Sequence, residues 1–282
     1  MSWIGLTGRE GRVILPHTMT IADYTAMADE LAKEAGVVDG IHGNFRIHRN
    51  RLWKTISHFN LWDLTGKNVL EIGAFYGYTP FVLRQSGNTV TVVEGDDPAV
   101  YPLKPLYARR GIEIIFTDLF DSFGNSDIQK HKLPFPDNHF DFITCWETME
   151  HFNFNPVGFV KEVRRILKPG GIATFTVPNC ASLGHRLKMA IGRPMGVAIS
   201  SYYEFYAYKG RFLGWHWREY TLKEFEELFT REQFQIVSAK HLTVFLNLPQ
   251  KSFIREARHF VIRLACALIP SLGTNCALTV RK

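Results

Sequence analysis

Asn68-Val-Leu-Glu71-Ile-Gly73-Ala-Phe-Tyr-Gly77 is the stretch on which the fold turns. A short, mainly apolar run leads into a loop with two glycines, and a helical pattern opens at Thr79. Glycine lets a backbone turn tightly and approach a ligand where a Cβ would collide. A dinucleotide-binding turn would read G-x-G-x-x-G. This one reads E-x-G-x-x-x-G, with no cradle for a pyrophosphate.

Outward from that stretch, short β-rich runs alternate with helical periods. Thr89-Val-Thr-Val-Val93 is followed by a Pro-broken helix, then come Ile112-Glu-Ile-Ile-Phe116, Phe140-Asp-Phe-Ile-Thr-Cys145, a helix from Pro156, and Ile172-Ala-Thr-Phe-Thr-Val177. Such alternation predicts an α/β fold, a Rossmann-like, mostly parallel twisted sheet with helices on both faces. Asn155 can cap the helix that Pro156 opens, and Lys168-Pro-Gly-Gly171 ends it. Thr221-Leu-Lys-Glu224 reads as a capping box for a helix whose Leu222, Phe225, Leu228 and Phe229 share a face. Two strands follow near Gln235–His241 and Cys276–Arg281, the last expected to be antiparallel. Residues 1–63 read as an N-terminal helical extension, with helices over Ala22–Ala35 and through Trp53 and Phe59 around a Gly36–Gly43 break. Residues 64–282 read as one domain, with an aromatic insertion at 178–220 and a tail helix at 252–272.

The 282 residues, 46% hydrophobic and 21% charged, are those of a globular chain with a packed core, and large-scale disorder is excluded. A net charge of +6 favours anionic partners without choosing among them, because the basic residues are scattered. Cys145, Cys180, Cys266 and Cys276 form no C-x-x-C pair and are expected as free thiols in a reducing compartment. The first twenty residues lack an apolar core of signal-peptide length, and no apolar run approaches a membrane span. The expected location is therefore cytoplasmic, with peripheral contact at the inner face of a membrane allowed.

Glu94 closes the second strand 21 residues beyond Gly73, close to the separation of about 20 at which an acid meets ribose hydroxyls. The fourth strand lies within Leu133-Pro-Phe-Pro-Asp-Asn-His-Phe-Asp-Phe-Ile-Thr-Cys-Trp-Glu-Thr-Met-Glu-His-Phe152, and Glu162-Val-Arg-Arg-Ile-Leu-Lys-Pro-Gly-Gly171 follows. Together these segments resemble the class I S-adenosylmethionine (SAM)-dependent methyltransferases, in particular the small-molecule branch of ubiquinone and menaquinone methyltransferases. The resemblance covers residues 65–180 and, more loosely, 220–241. It implies SAM as cofactor, with Glu71, Gly73, Ala74, Gly77 and Glu94 around its methionine and ribose. It further implies Asp118 at the adenine amino group, Leu119 against the ring, and a contact from Trp146. Many relatives carry Cys-Gly after the first glycine, whereas Ala74-Phe75-Tyr76 puts two aromatics there.

The sulfonium of SAM already activates the methyl group, so the chain has to align the acceptor and, for a hydroxyl, remove its proton. Of eleven histidines, His151 beyond the fourth strand and His216 in Trp215-His-Trp-Arg218 stand where the acceptor is expected, and these are the two candidate bases. Nine aromatics between Tyr202 and Tyr220 (Tyr202, Tyr203, Phe205, Tyr206, Tyr208, Phe212, Trp215, Trp217 and Tyr220) suit a sugar, phenol or isoprenoid acceptor. The expected reaction is O-methylation of a small or lipid-linked acceptor. Carbon or nitrogen methylation of a quinone-like or natural-product acceptor, and a SAM-binding regulatory protein without chemistry, are the alternatives. No nucleic-acid acceptor is expected, because Cys145-Trp146-Glu147 replaces the Pro-Pro-Tyr motif of base-amine enzymes. No metal is expected either, for want of a hard-cation pattern after the fourth strand. In the tail, Arg255, Arg258, His259, Arg263 and Cys266 form one narrow stripe with apolar residues around the rest, an amphipathic helix suited to a lipid interface.

Overall fold

The computed structural model describes residues 19–37, 41–75, 78–95, 100–117, 119, 123–124, 132–195, 198–207, 215–246 and 253–282. Its strands are β1 (Asn68–Ile72), β2 (Thr89–Glu94), β3 (Glu113–Phe116), β4 (Phe140–Trp146), β5 (Leu167–Pro178), β6 (Gln235–Leu242) and β7 (Asn275–Arg281). They form a seven-stranded sheet in the order β3-β2-β1-β4-β5-β7-β6. β2 runs parallel to both β1 and β3, whereas β7 is antiparallel to β5 and β6. The Rossmann-like α/β expectation and its antiparallel last strand are both met. In such sheets the order turns at β1, and the ligand crevice lies outside the carboxyl end of that strand.

The chain divides into two compact units, Met1–Thr117 with Phe140–Phe142 and Leu246–Pro249, and Asp118–His139 with Ile143–Phe245 and Gln250–Lys282. In the first, helices α1 (Ile21–Ala35) and α2 (Ile41–Phe59) precede β1. Thr20 and Asp23 close a capping box on α1, and Gly36 ends it in the left-handed region that glycine favours. The two helices bury Tyr24 and Phe45 edge to face, with ring centroids 5.5 Å apart. They reach the glycine loop through His42, whose Nε2 faces Asp29 at 2.7 Å and whose Nδ1 faces the Tyr78 hydroxyl at 3.1 Å. Tyr78 immediately precedes α3 (Thr79–Gln85), so the lead-in fixes the start of the helix that follows the loop. Helix α4 (Lys104–Arg109) completes this unit.

The second unit holds α5 (Val157–Ile166), α6 (Leu183–Ala190), α7 (Ile199–Ala207), α8 (Leu222–Arg231) and α9 (Phe253–Leu268). The capping box on α8 forms as read, the Glu224 N–H donating to Thr221 Oγ1 and the Thr221 N–H to Glu224 Oε2. Phe225 and Phe229 of α8 are buried against Phe175 of β5, and the Phe175 and Phe229 centroids lie 4.4 Å apart. Asn155 Oδ1 accepts from the Val157 N–H at 3.0 Å just before α5, although the cap position itself is taken by Pro156, which offers no side-chain cap. Helix α5 stops at Ile166, and Lys168-Pro-Gly-Gly171 already belongs to β5. A Cβ on Gly171 would meet the Lys168 carbonyl at 2.8 Å, which explains glycine there. All four cysteines carry free thiols, as expected.

The two motif segments around β4 are partners in one framework. Glu162 is buried; its Oε1 accepts from the Leu133 N–H at 2.6 Å and its Oε2 from Arg165 Nε at 2.8 Å. Arg165 also donates to the Phe135 carbonyl at 2.7 Å. The pair therefore staples the Leu133–Asn138 loop that feeds β4. Glu162→Ala leaves a half-buried guanidinium and a buried N–H short of an acceptor, and should lower unfolding free energy by roughly 3 kcal/mol. Urea denaturation checks this; a loss below about 1 kcal/mol would mean that water replaces the carboxylate.

Candidate active site

The residues of the first unit expected to hold the cofactor gather at the carboxyl ends of β1 and β2. Gly73 takes φ +76, and its N–H donates to the Val93 carbonyl at 2.9 Å, so the loop leaves β1 while still paired with β2. Glu94 closes the loop from the other side, its Oε2 accepting from the Phe75 N–H at 2.6 Å and its Oε1 from the Gly95 N–H at 3.1 Å. Phe75 itself sits at φ +39, a left-handed conformation that a phenylalanine rarely adopts. Thus the acid assigned to the ribose also shapes the loop, and the aromatic that departs from the common pattern is the residue it grips. Ala74 is buried beside it.

Glu71 is buried, and its Oε2 has no hydrogen-bond partner among the described residues. Burial, with Glu94 alongside, holds its carboxyl well above the usual carboxylate range. A cationic ligand relieves that strain, and SAM carries both a sulfonium and an ammonium; the residues present fit the group. Gly77 and Asp118 lie outside the described residues, and Leu119 is half-buried. Trp146 is buried, with its indole N–H donating to Thr174 Oγ1 at 3.1 Å, a partner within the sheet that sequence reasoning did not foresee.

In the second unit β4 delivers its terminal acids and His151 to the insertion. Glu147 stands at φ +50, and both its carboxylate oxygens accept from Asn275 Nδ2, at 2.9 and 3.0 Å. The Glu150 carbonyl accepts from the Trp217 N–H at 2.8 Å, and the Trp215 carbonyl faces His151 Nδ1 at 3.0 Å. These two contacts draw residues 215–217 onto the end of β4. His151 and His216 consequently meet with ring centroids 5.1 Å apart. Glu219 Oε1 faces His216 Nδ1 at 2.7 Å, and its Oε2 lies 3.2 Å from His185 Nδ1. One ligand atom each from the buried Glu150, His151 and His216 lies within 4.8 Å of the others, a set able to hold a metal ion. The sequence marked the two histidines but missed Glu150 and Glu219; the Glu-His pair at 150–151 was the available signal. Of the aromatic insertion, Tyr202, Trp215 and Trp217 form one cluster with centroids 5.7 and 5.8 Å apart, and Tyr220 is buried. Tyr208 and Phe212 fall outside the described residues, as do the side chains of Phe205 and Tyr206.

Residues 45–239 match a family described as a methyltransferase domain, and the chain belongs to that family, whose methyl donor is SAM. It is 30% identical over 119 residues to the ubiquinone biosynthesis O-methyltransferase of Pseudomonas entomophila, a match over 42% of this chain and 47% of that protein. To the enzyme of the same name from Nitrosospira multiformis it is 28% identical over 116 residues, over 41% and 45% of the two chains. The chain thus spans about half the length of the curated relatives it matches. A SAM-dependent methyltransferase from Mesorhizobium loti shares the fold, with a TM-score of 0.53 at 14% identity over 86% of this chain and 100% of that one.

Glu94→Ala removes the acceptor that shapes the loop and should weaken SAM binding roughly ten- to hundredfold in a folded protein, measured by calorimetric titration. Unchanged affinity would place the ribose elsewhere.

Glu71 makes a pH-dependent prediction. Its folded-state pKa is raised above the usual 4.5, so it leaves the fold intact at low pH and destabilises it as pH rises from about 4.5 toward the folded value. Glu71→Gln should therefore melt higher than wild type at about pH 8 without SAM, converge with it near pH 4.5, and bind SAM more weakly. Parallel melting curves at all pH values would show that the carboxyl does not titrate in this way.

Proposed function

We propose that this domain methylates a hydroxyl oxygen of a small or lipid-linked acceptor, a sugar being one candidate. The observation that carries the reading is the 2.7 Å contact between His216 Nδ1 and Glu219, beside His151. The sulfonium supplies an activated methyl, so the chain's own task is to align the acceptor oxygen and accept its proton. With the Glu219 carboxylate accepting at Nδ1, that nitrogen carries the hydrogen and Nε2 keeps its lone pair for the acceptor proton. His151, donating through Nδ1 to the Trp215 carbonyl, is the second candidate base and positions the loop that holds His216. Tyr202, Trp215 and Trp217 offer flat apolar faces with polar edges for the acceptor body. The two relatives described above are named O-methyltransferases, which supports oxygen over carbon or nitrogen.

One observation favours a second reading. The convergence of Glu150, His151 and His216 suits a divalent cation, which would lower the pKa of a bound hydroxyl in place of a base. Second contacts from Glu219 and the Trp215 carbonyl would orient the two rings, as such partners do around metals.

The test uses SAM with a carbon-13 methyl and fractionated cell extract. Methyl on oxygen is expected, and its chemical shift separates it from methyl on carbon or nitrogen. His216→Ala should lower turnover by about 10²–10⁴ with little change in SAM affinity. If a chelator leaves wild-type turnover intact, His216 acts as base; if chelation abolishes turnover and added magnesium or zinc restores it, the cation does. Near-normal turnover in both His216→Ala and His151→Ala, or label on carbon, overturns the oxygen reading; no transfer to any fraction supports a regulatory protein.

A further inference from the structure

Helix α9 is folded with its apolar face outward. Arg255, His259, Arg263 and Cys266 repeat at three- and four-residue spacing along one stripe; Arg255, His259 and Cys266 face the protein, whereas Arg263, at the border of the stripe, stays exposed. The His259 ring stacks on Phe245 with centroids 4.1 Å apart, the Arg263 guanidinium lies 5.3 Å over the same ring, and Cys266 is buried. The opposite stripe carries Phe253, Ala257, Phe260, Val261, Leu264 and Leu268, with no charge among them. Its large members are exposed by 89% at Phe253, 66% at Phe260, 60% at Val261, 55% at Leu264 and 76% at Leu268. A helix that covers its own domain buries its apolar stripe. Here the polar stripe packs inward, and a charge-free apolar ridge meets water, an arrangement that marks a binding surface.

Helix α6 extends the pattern. It buries no residue, and Leu187, Met189 and Ile191 at its end are 60%, 57% and 68% exposed. It begins beside the carboxyl end of α9, where Arg186 Nη2 donates to Ser271 Oγ at 3.4 Å. Between Leu183 and Arg193 it carries Arg186, Lys188 and Arg193 and no acid. On α9, Arg258 and Arg263 flank the apolar ridge as exposed cations, against the single acid Glu256. Apolar side chains that can enter acyl chains, edged by cations that can meet phosphate, are the two components of an interfacial lipid site. A second copy of the chain is a poorer occupant, because a two-fold contact through the ridge would set each flanking arginine row near its own counterpart.

We infer that α9, together with the end of α6, docks on the surface of an anionic phospholipid bilayer, lying in the interface without crossing it. No helix among the described residues is long and apolar enough to span a membrane. The inference concerns where the protein sits and is independent of which atom it methylates.

Co-sedimentation of the full chain with phosphatidylcholine vesicles, with and without phosphatidylglycerol, tests it. Binding is expected with phosphatidylglycerol and should fall as salt screens the charges. Leu264→Glu with Leu268→Glu should abolish it while leaving the melting curve in place, since both side chains are exposed. Arg258→Glu with Arg263→Glu should reduce it on the order of tenfold or more at low salt. Absence of binding to either vesicle, or binding untouched by the double leucine change, overturns the inference. So does light scattering that shows a dimer which the leucine change converts to monomer, since the ridge would then belong to a second copy.

Discussion

Two carboxyl groups at the ends of paired strands, Glu71 and Glu94, impose the constraint from which the loop after β1 follows. Buried acids so placed either keep a proton or must be answered, once charged, by backbone donors or a bound cation. Glu94 is answered by the Phe75 and Gly95 amides, and this forces the loop into its left-handed turn. Glu71 Oε2 has no such partner among the described residues, and burial raises the pKa of its carboxyl. The lead-in helices close the arrangement from outside, with His42 wiring Asp29 to Tyr78 just past the loop. The carboxyl ends of β1 and β2 are thereby held in one arrangement by contacts within the chain itself.

What the sequence disclosed follows from the range over which each signal acts. The turn at Gly73, the end of β2 at Glu94 and the Thr221–Glu224 box are local, and these are found where they were read. The mostly parallel direction of the strands, with the last one antiparallel, was legible because alternation of strand and helix leaves few arrangements open, whereas their order was not read. The meeting of Glu150, His151 and His216 was not, because it depends on two main-chain contacts between segments far apart in sequence. No side-chain pattern encodes the Glu150 carbonyl that receives the Trp217 amide. The bond from Trp146 to Thr174 was hidden for a similar reason, since it shows only once the strands are laid side by side.

Helix α9 illustrates a different limit. A helical wheel separates a charged stripe from an apolar one, but it does not say which stripe faces the protein. Phe245 decides that, offering a ring to His259 and Arg263 and so drawing the polar stripe inward. The residues most readily taken for a core were thus the ones turned outward. The Glu162–Arg165 pair shows the converse, since a motif quoted for its family likeness proves to brace the loop before β4.

The pairing of β6 with β7 slips between Ile236 and Ser238, and β6 is the last strand on its side of the sheet. An irregularity at that position breaks the even row of amides and carbonyls that a free edge would otherwise offer to a passing strand, and twists the edge away. Lys240, exposed farther along β6, adds a charge that a foreign strand would have to desolvate. At the far side β3 is only four residues long, too short a template for stable extension. With both borders discouraging strand-by-strand growth, a protein with an exposed apolar ridge can accumulate to high local concentration without seeding cross-β aggregates.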